Sequence, residues 1–219
     1  FDEFTGYLSP FVKNADFVME IGCGSGRRLE ELRTFRGHNG GRYIGCDYSE
    51  KALQLASHRG IEIIKGGAEE LASRGKADVL ILSHVFEHFL DLQTALDDIS
   101  RLIGSHSVVY VEVPGVIDLE NKKEYGYDYQ DYCVLAHIHN FSLGTLANVF
   151  SKAGLRLIKG DEYVRAVFGA NVASPQRVEM NPYGTIMSAL KRAEGKARKH
   201  RNAPWRRLRA TISAAREAL

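Results

Sequence analysis

Six side chains able to accept or pass on a proton near neutral pH stand close to the ends of two apolar runs. His84, Glu87 and His88 follow the run Ala77–Ser83, Glu112 lies near the end of Ser107–Val113, and His137 and His139 come later. An imidazole titrates near neutrality and suits general acid–base work, which a neighbouring carboxylate can orient or assist. His88, His137, His139 and Glu87 are therefore the candidate catalytic residues. His88 or His137 is preferred as the base, with Glu87 and Glu112 assisting. The competing reading makes the histidine after the first run a structural residue, with Phe86 and Phe89 beside it as core. His137 and His139 alternate, so extended backbone would turn both to one face. Glu112, His137 and His139 have the donor types of a metal site. An H-x-H spacing is short and common, however, and no metal is expected.

A second stretch carries a different chemistry. Phe17–Ile21 is a short apolar strand running into Gly22-Cys23-Gly24-Ser25-Gly26, after which Leu29, Leu32 and Phe35 mark a helix. A further strand, Arg42–Cys46, ends on Asp47, 25 residues beyond Gly22. A glycine turn between strand and helix, answered by an acid at the end of the next strand, is the layout of a nucleoside pocket, the acid accepting bonds from ribose hydroxyls. Dinucleotide sites space their glycines as G-x-G-x-x-G around a pyrophosphate. Here they fall at 22, 24 and 26, Arg27 takes the place of the third glycine, and Glu20 precedes the turn. An acid at that point suits a cationic or ammonium-bearing ligand better than a diphosphate.

The elements that must position these residues alternate. After Asp47 come a helix over Ser49–His58 with Ser49 as N-cap, a short strand Ile61–Ile64, a polar helical turn near Glu69–Ser73, and the continuous apolar run Ala77–Ser83. Such a run is expected of a strand buried on both faces. An amphipathic helix, Leu92–Leu102, leads to the strand Ser107–Val113, stopped by Pro114-Gly115. Strands separated by helices predict a doubly wound parallel sheet. Residues 115–141 then lose all periodicity and are rich in Tyr, Asp and His, as a lid or acceptor-binding insertion would be. Tyr125, Tyr127, Tyr129 and Tyr132 either line an acceptor pocket or anchor the insertion. A helix capped by Ser142 and ended by Gly154 follows, then a hairpin over Leu155–Lys159 and Tyr163–Phe168. The expected organisation is one domain over 1–169, a linker over 170–184 holding Pro175 and Pro182, and a basic helical tail over 185–219.

The glycine stretch with Asp47, the segment "SHVFEHF", the strand running into "EVPG", and "AHIHNFSLGTLANVFSKAGL" together resemble the class I S-adenosylmethionine (SAM) methyltransferases, and among them the subgroup acting on small molecules, sugars and lipid-linked intermediates. The resemblance covers residues 15–168. It implies a Rossmann-like α/β fold with a seven-stranded, mostly parallel sheet, helices on both faces and the last strand antiparallel. It implies SAM as cofactor, held by Glu20, Gly22, Cys23, Gly24, Gly26, Asp47, Tyr48, Ala68, Glu69 and Ser83. One departure stands out. Gly67 occupies the place where the family often has an acid for the adenine amino group, leaving the Ala68 N–H and Glu69 as the adenine contacts. The implied activity is SAM-dependent methylation of a small-molecule, sugar or glycolipid-type acceptor, most simply at oxygen. Two alternatives stand beside it: an RNA or protein methyltransferase, and a non-catalytic SAM-binding or partner module.

Bulk composition is that of a soluble globular chain, with 44% hydrophobic and 26% charged residues among 219. Cys23, Cys46 and Cys133 show no paired spacing, pointing to a reducing compartment, and no membrane-spanning run or signal peptide is visible, so a cytoplasmic location is expected. The net charge of +2 conceals a split: residues 191–219 carry ten Lys/Arg against two Glu, a balance of +8, and the rest of the chain carries −6. Leu208, Ile212, Ala215 and Leu219 fall at helical spacing among arginines. Such a segment is a solvated helix, a peripheral contact with the inner face of an anionic membrane, a partner site or a phosphate grip. Nucleic acid is the least favoured, because the domain itself is acidic and holds no nucleic-acid module.

Overall fold

A computed structural model describes residues 3–37 and 40–202. Seven strands form one sheet in the order β3-β2-β1-β4-β5-β7-β6. They are β1 (Phe17–Ile21), β2 (Arg42–Asp47), β3 (Glu62–Lys65), β4 (Ala77–Ser83), β5 (Ile103–Glu112), β6 (Arg156–Gly160) and β7 (Arg165–Gly169). The first five pair in parallel, and β7 runs antiparallel to both β5 and β6. This is the Rossmann-like, mostly parallel sheet that the alternation predicts.

β4 sits at the centre and is covered on both sides, which is why its sequence shows no polar alternation. Leu80 and Leu82 pack with Leu96, Leu146 and Phe150 on one face. Val79 and Ile81 pack with Leu8, Leu29 and Leu32 on the other. The helices supplying those side chains are α1 (Glu3–Val12) and α2 (Arg27–Phe35) on the second face, and α5 (Leu92–Leu102) and α7 (Leu143–Ser151) on the first. The Ser142 hydroxyl caps α7 where the sequence places a cap, accepting from the Thr145 N–H, and Asp91, which the sequence reading did not single out, accepts from Gln93 at the start of α5. In the same way Ser49 caps α3 (Glu50–Ser57). α4 (Ala68–Ala72) is a single turn after β3.

α1 has no counterpart in the sequence reading. Gly6 and Pro10 interrupt its pattern, and Pro10 cannot donate to the Gly6 carbonyl as a helical residue should. The Ser9 hydroxyl donates to that carbonyl instead, at 3.0 Å. Phe4, Leu8 and Val12 then share one buried stripe.

Residues 115–141 are built of single turns, at Ile117–Asn121, Lys123–Tyr125 and the short α6 (Tyr129–Tyr132). The long helix α8 (Tyr183–Arg201) lies against them: Leu190 and Ala193 pack on Leu119 and Tyr132, and Arg192 grips the Glu120 carboxylate through two bonds of 3.0 Å. Lys196 donates to the Glu120 carbonyl at 2.8 Å, and Arg201 pairs with Asp128. Part of the basic charge after residue 182 is thus used inside the fold. The apolar stripe Leu208–Leu219 lies outside the described residues. Among the described residues no helix is long and apolar enough to cross a membrane.

Candidate active site

The sheet order reverses direction between β1 and β4, and in open α/β sheets ligands collect at the carboxyl ends of strands flanking such a point. The glycine turn leaves β1 there. Gly22 has φ 65°, and a Cβ at that residue would run into the Val85 side chain, so the turn lies directly beneath the chain that leaves β4. At the end of β2 the Asp47 carboxylate accepts the Gly24 N–H on one oxygen and the Ser49 N–H on the other, each at 2.8 Å. Each oxygen keeps a further lone pair for a ligand hydroxyl.

A cavity of about 420 Å³ opens beside Asp47. Of the residues expected to hold the cofactor, Gly22, Asp47, Tyr48, Ala68 and Glu69 line it. The others lie beneath or beside it. Cys23 turns its sulfur in toward Gly45 and away from water, and burial pushes its thiol pKa far up. The Ser83 hydroxyl donates to Glu112 at 2.7 Å. Glu20 is fully buried; that burial lifts its carboxyl to about 8, against the pull of Arg28 and with a further push from Glu31, Asp47 and Glu112. Gly24 and Gly26 shape the turn, both with positive φ.

A Cβ at Gly67 would meet the hydroxyl of the exposed Tyr48 side chain, which turns toward this residue at the cavity wall. Gly66, Gly67, Val85, Phe89 and Asp98 also line the cavity and were not among the expected residues. Val85 and Phe89 flank a motif that drew attention for its histidines. Asp98 sits on the polar side of an amphipathic helix, where nothing in the pattern marks it.

The second half of the site is the rim beyond β4. His84 adopts a left-handed backbone, φ 54°, and its N–H donates to the Glu112 carbonyl at 2.8 Å. That turn sends the chain into a 3-10 turn, Phe86–His88, anchored by the buried Phe86 ring against Phe89, Phe141 and Phe150. Glu87 is held inside. Its carbonyl accepts the N–H groups of Ile138 and His139, at 3.0 and 3.2 Å, which ties the insertion to the rim. Its carboxylate is wholly buried, and neither oxygen has a hydrogen-bond partner among the described residues.

Three imidazoles surround that carboxylate. From Glu87 Oε1, His84 Nδ1 is 3.6 Å, His88 Nε2 3.8 Å and His137 Nε2 3.9 Å away. The His88 Nδ1–H donates to the Ala136 carbonyl at 2.8 Å, and the His88 and His137 rings stand 5.0 Å apart. Burial lowers the His137 pKa; Glu87 opposes this, and His88 and His84 add to it. Glu112 stands at the opposite side of His84, 3.8 Å from its Nε2, and 3.7 Å from the Arg28 guanidinium. His139 is not part of the group. Its Nε2–H donates to the Phe89 carbonyl at 2.9 Å, so His137 and His139 serve different partners rather than one face.

A sheet of this order, an acid-closed glycine turn and a cavity between them are the frame of a class I SAM methyltransferase domain. The residues fit the cofactor: Asp47 offers carboxylate lone pairs to ribose hydroxyls, and Ile21, Leu82 and Ile99 give an apolar wall for a flat base. Bound there, SAM supplies an electrophilic methyl group on a sulfonium.

The chain belongs to the methyltransferase-domain family, which it matches over residues 2–159. It is 30% identical over 193 residues to the C-methyltransferase NovU of Streptomyces niveus, a match covering 83% of this chain and 43% of NovU. The chain thus spans less than half the length of that relative. Among solved structures it is similar to the plantazolicin methyltransferase BpumL, in complex with a triazolic desmethylPZN analog and SAH, with a TM-score of 0.57, 19% identity, and 92% of this chain and 80% of the other covered. A SAM-dependent methyltransferase from Archaeoglobus fulgidus gives 0.55, 20%, 89% and 85%. These two likenesses speak for the fold.

Proposed function

We propose that this SAM-dependent methyltransferase acts on a small hydroxylated acceptor of the sugar or glycolipid type, and transfers the methyl group to oxygen. One observation carries the reading: the imidazoles of His84, His88 and His137 gather round the buried Glu87 next to Val85 and Phe89, which line the cofactor cavity. A hydroxyl is a poor nucleophile until its proton is taken, and a cluster of imidazoles backed by carboxylates is suited to taking it. The mixed aromatic and acidic insertion over residues 115–141 supports a polyhydroxylated acceptor, because rings cover sugar faces and carboxylates accept from hydroxyls. Similarity to a C-methyltransferase supports a second reading, in which the same cluster takes a proton from an activated carbon. A lipid-linked acceptor would bring the basic tail to an anionic membrane.

The test is an acceptor screen with isotopically labelled SAM against sugar nucleotides and glycolipids, read by NMR of the product. A methyl group on oxygen upholds the reading, and one on carbon moves the second reading forward. Transfer only to RNA or protein, falling steeply with salt, would overturn both.

A further inference from the structure

We infer that Glu87, His88 and His137 form a binding site for one divalent transition-metal ion, with coordination positions left over for oxygen atoms of the acceptor. The inference deepens the acceptor reading above. The ion's role rests on that reading, but its binding does not.

The distances point to an ion rather than to hydrogen bonds. An N–H···O bond would place nitrogen and oxygen about 2.7–3.2 Å apart. Two donors sharing an ion at about 2.1 Å from each can lie up to roughly 4.2 Å apart. The His88 and His137 nitrogens stand 3.8 and 3.9 Å from Glu87 Oε1, inside the second window and outside the first. The three donor atoms all fall within 4.8 Å of one another.

The protons point the same way. A carbonyl oxygen only accepts, so the 2.8 Å contact to Ala136 requires His88 Nδ1 to carry the hydrogen. In the neutral ring the lone pair is then on Nε2, and it faces the Glu87 carboxylate. Two acceptors facing each other repel, and a cation between them, on the half-exposed His88 side of the buried carboxylate, relieves that. The backbone contact at Nδ1 is also the arrangement that orients metal-binding histidines, by fixing the tautomer and the ring plane. Glu87 supplies the second observation, being a fully buried carboxylate with both oxygens unpartnered among the described residues and aimed at the two rings.

The donor set selects the ion. Two imidazoles and one carboxylate suit Zn²⁺, Mn²⁺, Fe²⁺ or Co²⁺ and not Ca²⁺ or Mg²⁺, which require mainly oxygen ligands. Three protein ligands with open positions are the pattern of ions that also take a substrate. Set at the rim beside the cofactor cavity, the ion would hold an acceptor hydroxyl and lower its pKa, the proton passing to His84, the imidazole outside the triad. The trio differs from the Glu112, His137 and His139 set that sequence spacing suggests: Glu112 is bound to Ser83, and His139 to the Phe89 carbonyl.

The test is calorimetric titration of the tag-free, metal-stripped chain with Zn²⁺ alone, with the visible bands of Co²⁺ as a second readout. One ion per chain is expected. Glu87→Gln, His88→Ala and His137→Ala should each weaken binding by roughly tenfold or more, the least that loss of even an orienting partner costs. His139→Ala should leave metal affinity unchanged, and SAM titration of every variant reports whether the cavity has survived. Equal Zn²⁺ binding by wild type and the three variants, or no binding, overturns the site. Methylation of a sugar acceptor that continues in chelator overturns the ion's part in holding the acceptor and leaves the acceptor reading standing. Zn²⁺ binding that needs all three residues, in a chain that methylates no sugar or glycolipid, upholds the site and removes the acceptor reading.

Discussion

Asp47 and Glu87 are both acids at the carboxyl end of the parallel sheet, the first lining the cavity and the second buried behind Val85 and Phe89, which line it too. Each oxygen of Asp47 accepts a backbone N–H, while neither oxygen of Glu87 has a hydrogen-bond partner among the described residues. Asp47 meets groups two and 23 residues away, on adjoining turns. Glu87 meets His137, fifty residues on, through the insertion. The cofactor side is thus preformed by local backbone, and the rim is assembled from side chains that only the folded sheet brings together. A preformed half can receive the same cofactor in every relative of the fold, and the assembled half is where a particular acceptor, and here an ion, is chosen.

Substitutions that touch one half and spare the other sharpen this contrast. The largest effect is expected from Phe86→Ala. The ring is fully buried between the rim and α7, and its removal should cost roughly 3–5 kcal/mol in urea unfolding. Loss of metal binding at temperatures where the variant is still folded and binds SAM would show that the rim fails first. Equal loss on both sides would break the contrast.

Glu20 comes next. It lies under both halves, faced by Arg28 and Glu31 from α2, Asp47 from β2 and Glu112 from β5. Its folded pKa of about 8 stands above the ordinary 4.5, so the folded state keeps a proton that the unfolded chain releases. The stability this contributes is complete below the unfolded value and is lost as pH rises through that window. Glu20→Gln should therefore match wild type near pH 4.5 and exceed it above pH 8, by on the order of a few kcal/mol, measured by urea unfolding across pH. A parallel pair of curves would remove Glu20 as the source.

Asp47→Ala should lower SAM affinity by roughly 1–3 kcal/mol in calorimetry and leave Zn²⁺ affinity unchanged. A fall in both would mean that the halves are not independent. The smallest effect is expected at the edge of the insertion. Arg192→Ala removes an exposed clamp on Glu120, so the melting temperature should stay within error while KM for the acceptor rises, more so at low salt. An unchanged KM would detach α8 from acceptor binding.

The same contrast explains what the sequence discloses. The succession of strands and helices, the glycine turn, Asp47, and the caps Ser49 and Ser142 are legible because each is a local rule: a buried run, a turn that needs positive φ, or a hydroxyl before a helix. The approach of Tyr48 to Gly67 was not legible, because no one-dimensional pattern links those two residues. α1 escaped because Pro10 argues against a helix, and the compensating Ser9 hydroxyl is visible only in three dimensions. The histidines were recognisable as chemistry, but their common centre on Glu87 was not. Periodicity says which face a residue occupies and nothing of what stands across from it. The packing of α8 was hidden for a different reason: its buried face is Ala189, Ala193 and Ala197, small residues among arginines and lysines.

The clamp of Arg192 and Lys196 on Glu120, and of Arg201 on Asp128, joins a helix that follows the last strand to an insertion that precedes it. Neither piece contributes a strand to the sheet, and the two pack on each other through Leu190, Ala193, Leu119 and Tyr132. The two can therefore drift in sequence as a matched cassette, charge answering charge, without disturbing how SAM is held. Chimeras that exchange residues 115–141 together with 183–201 should stay as stable as the parent, where exchanging either alone leaves an unmatched set of charges between the two pieces.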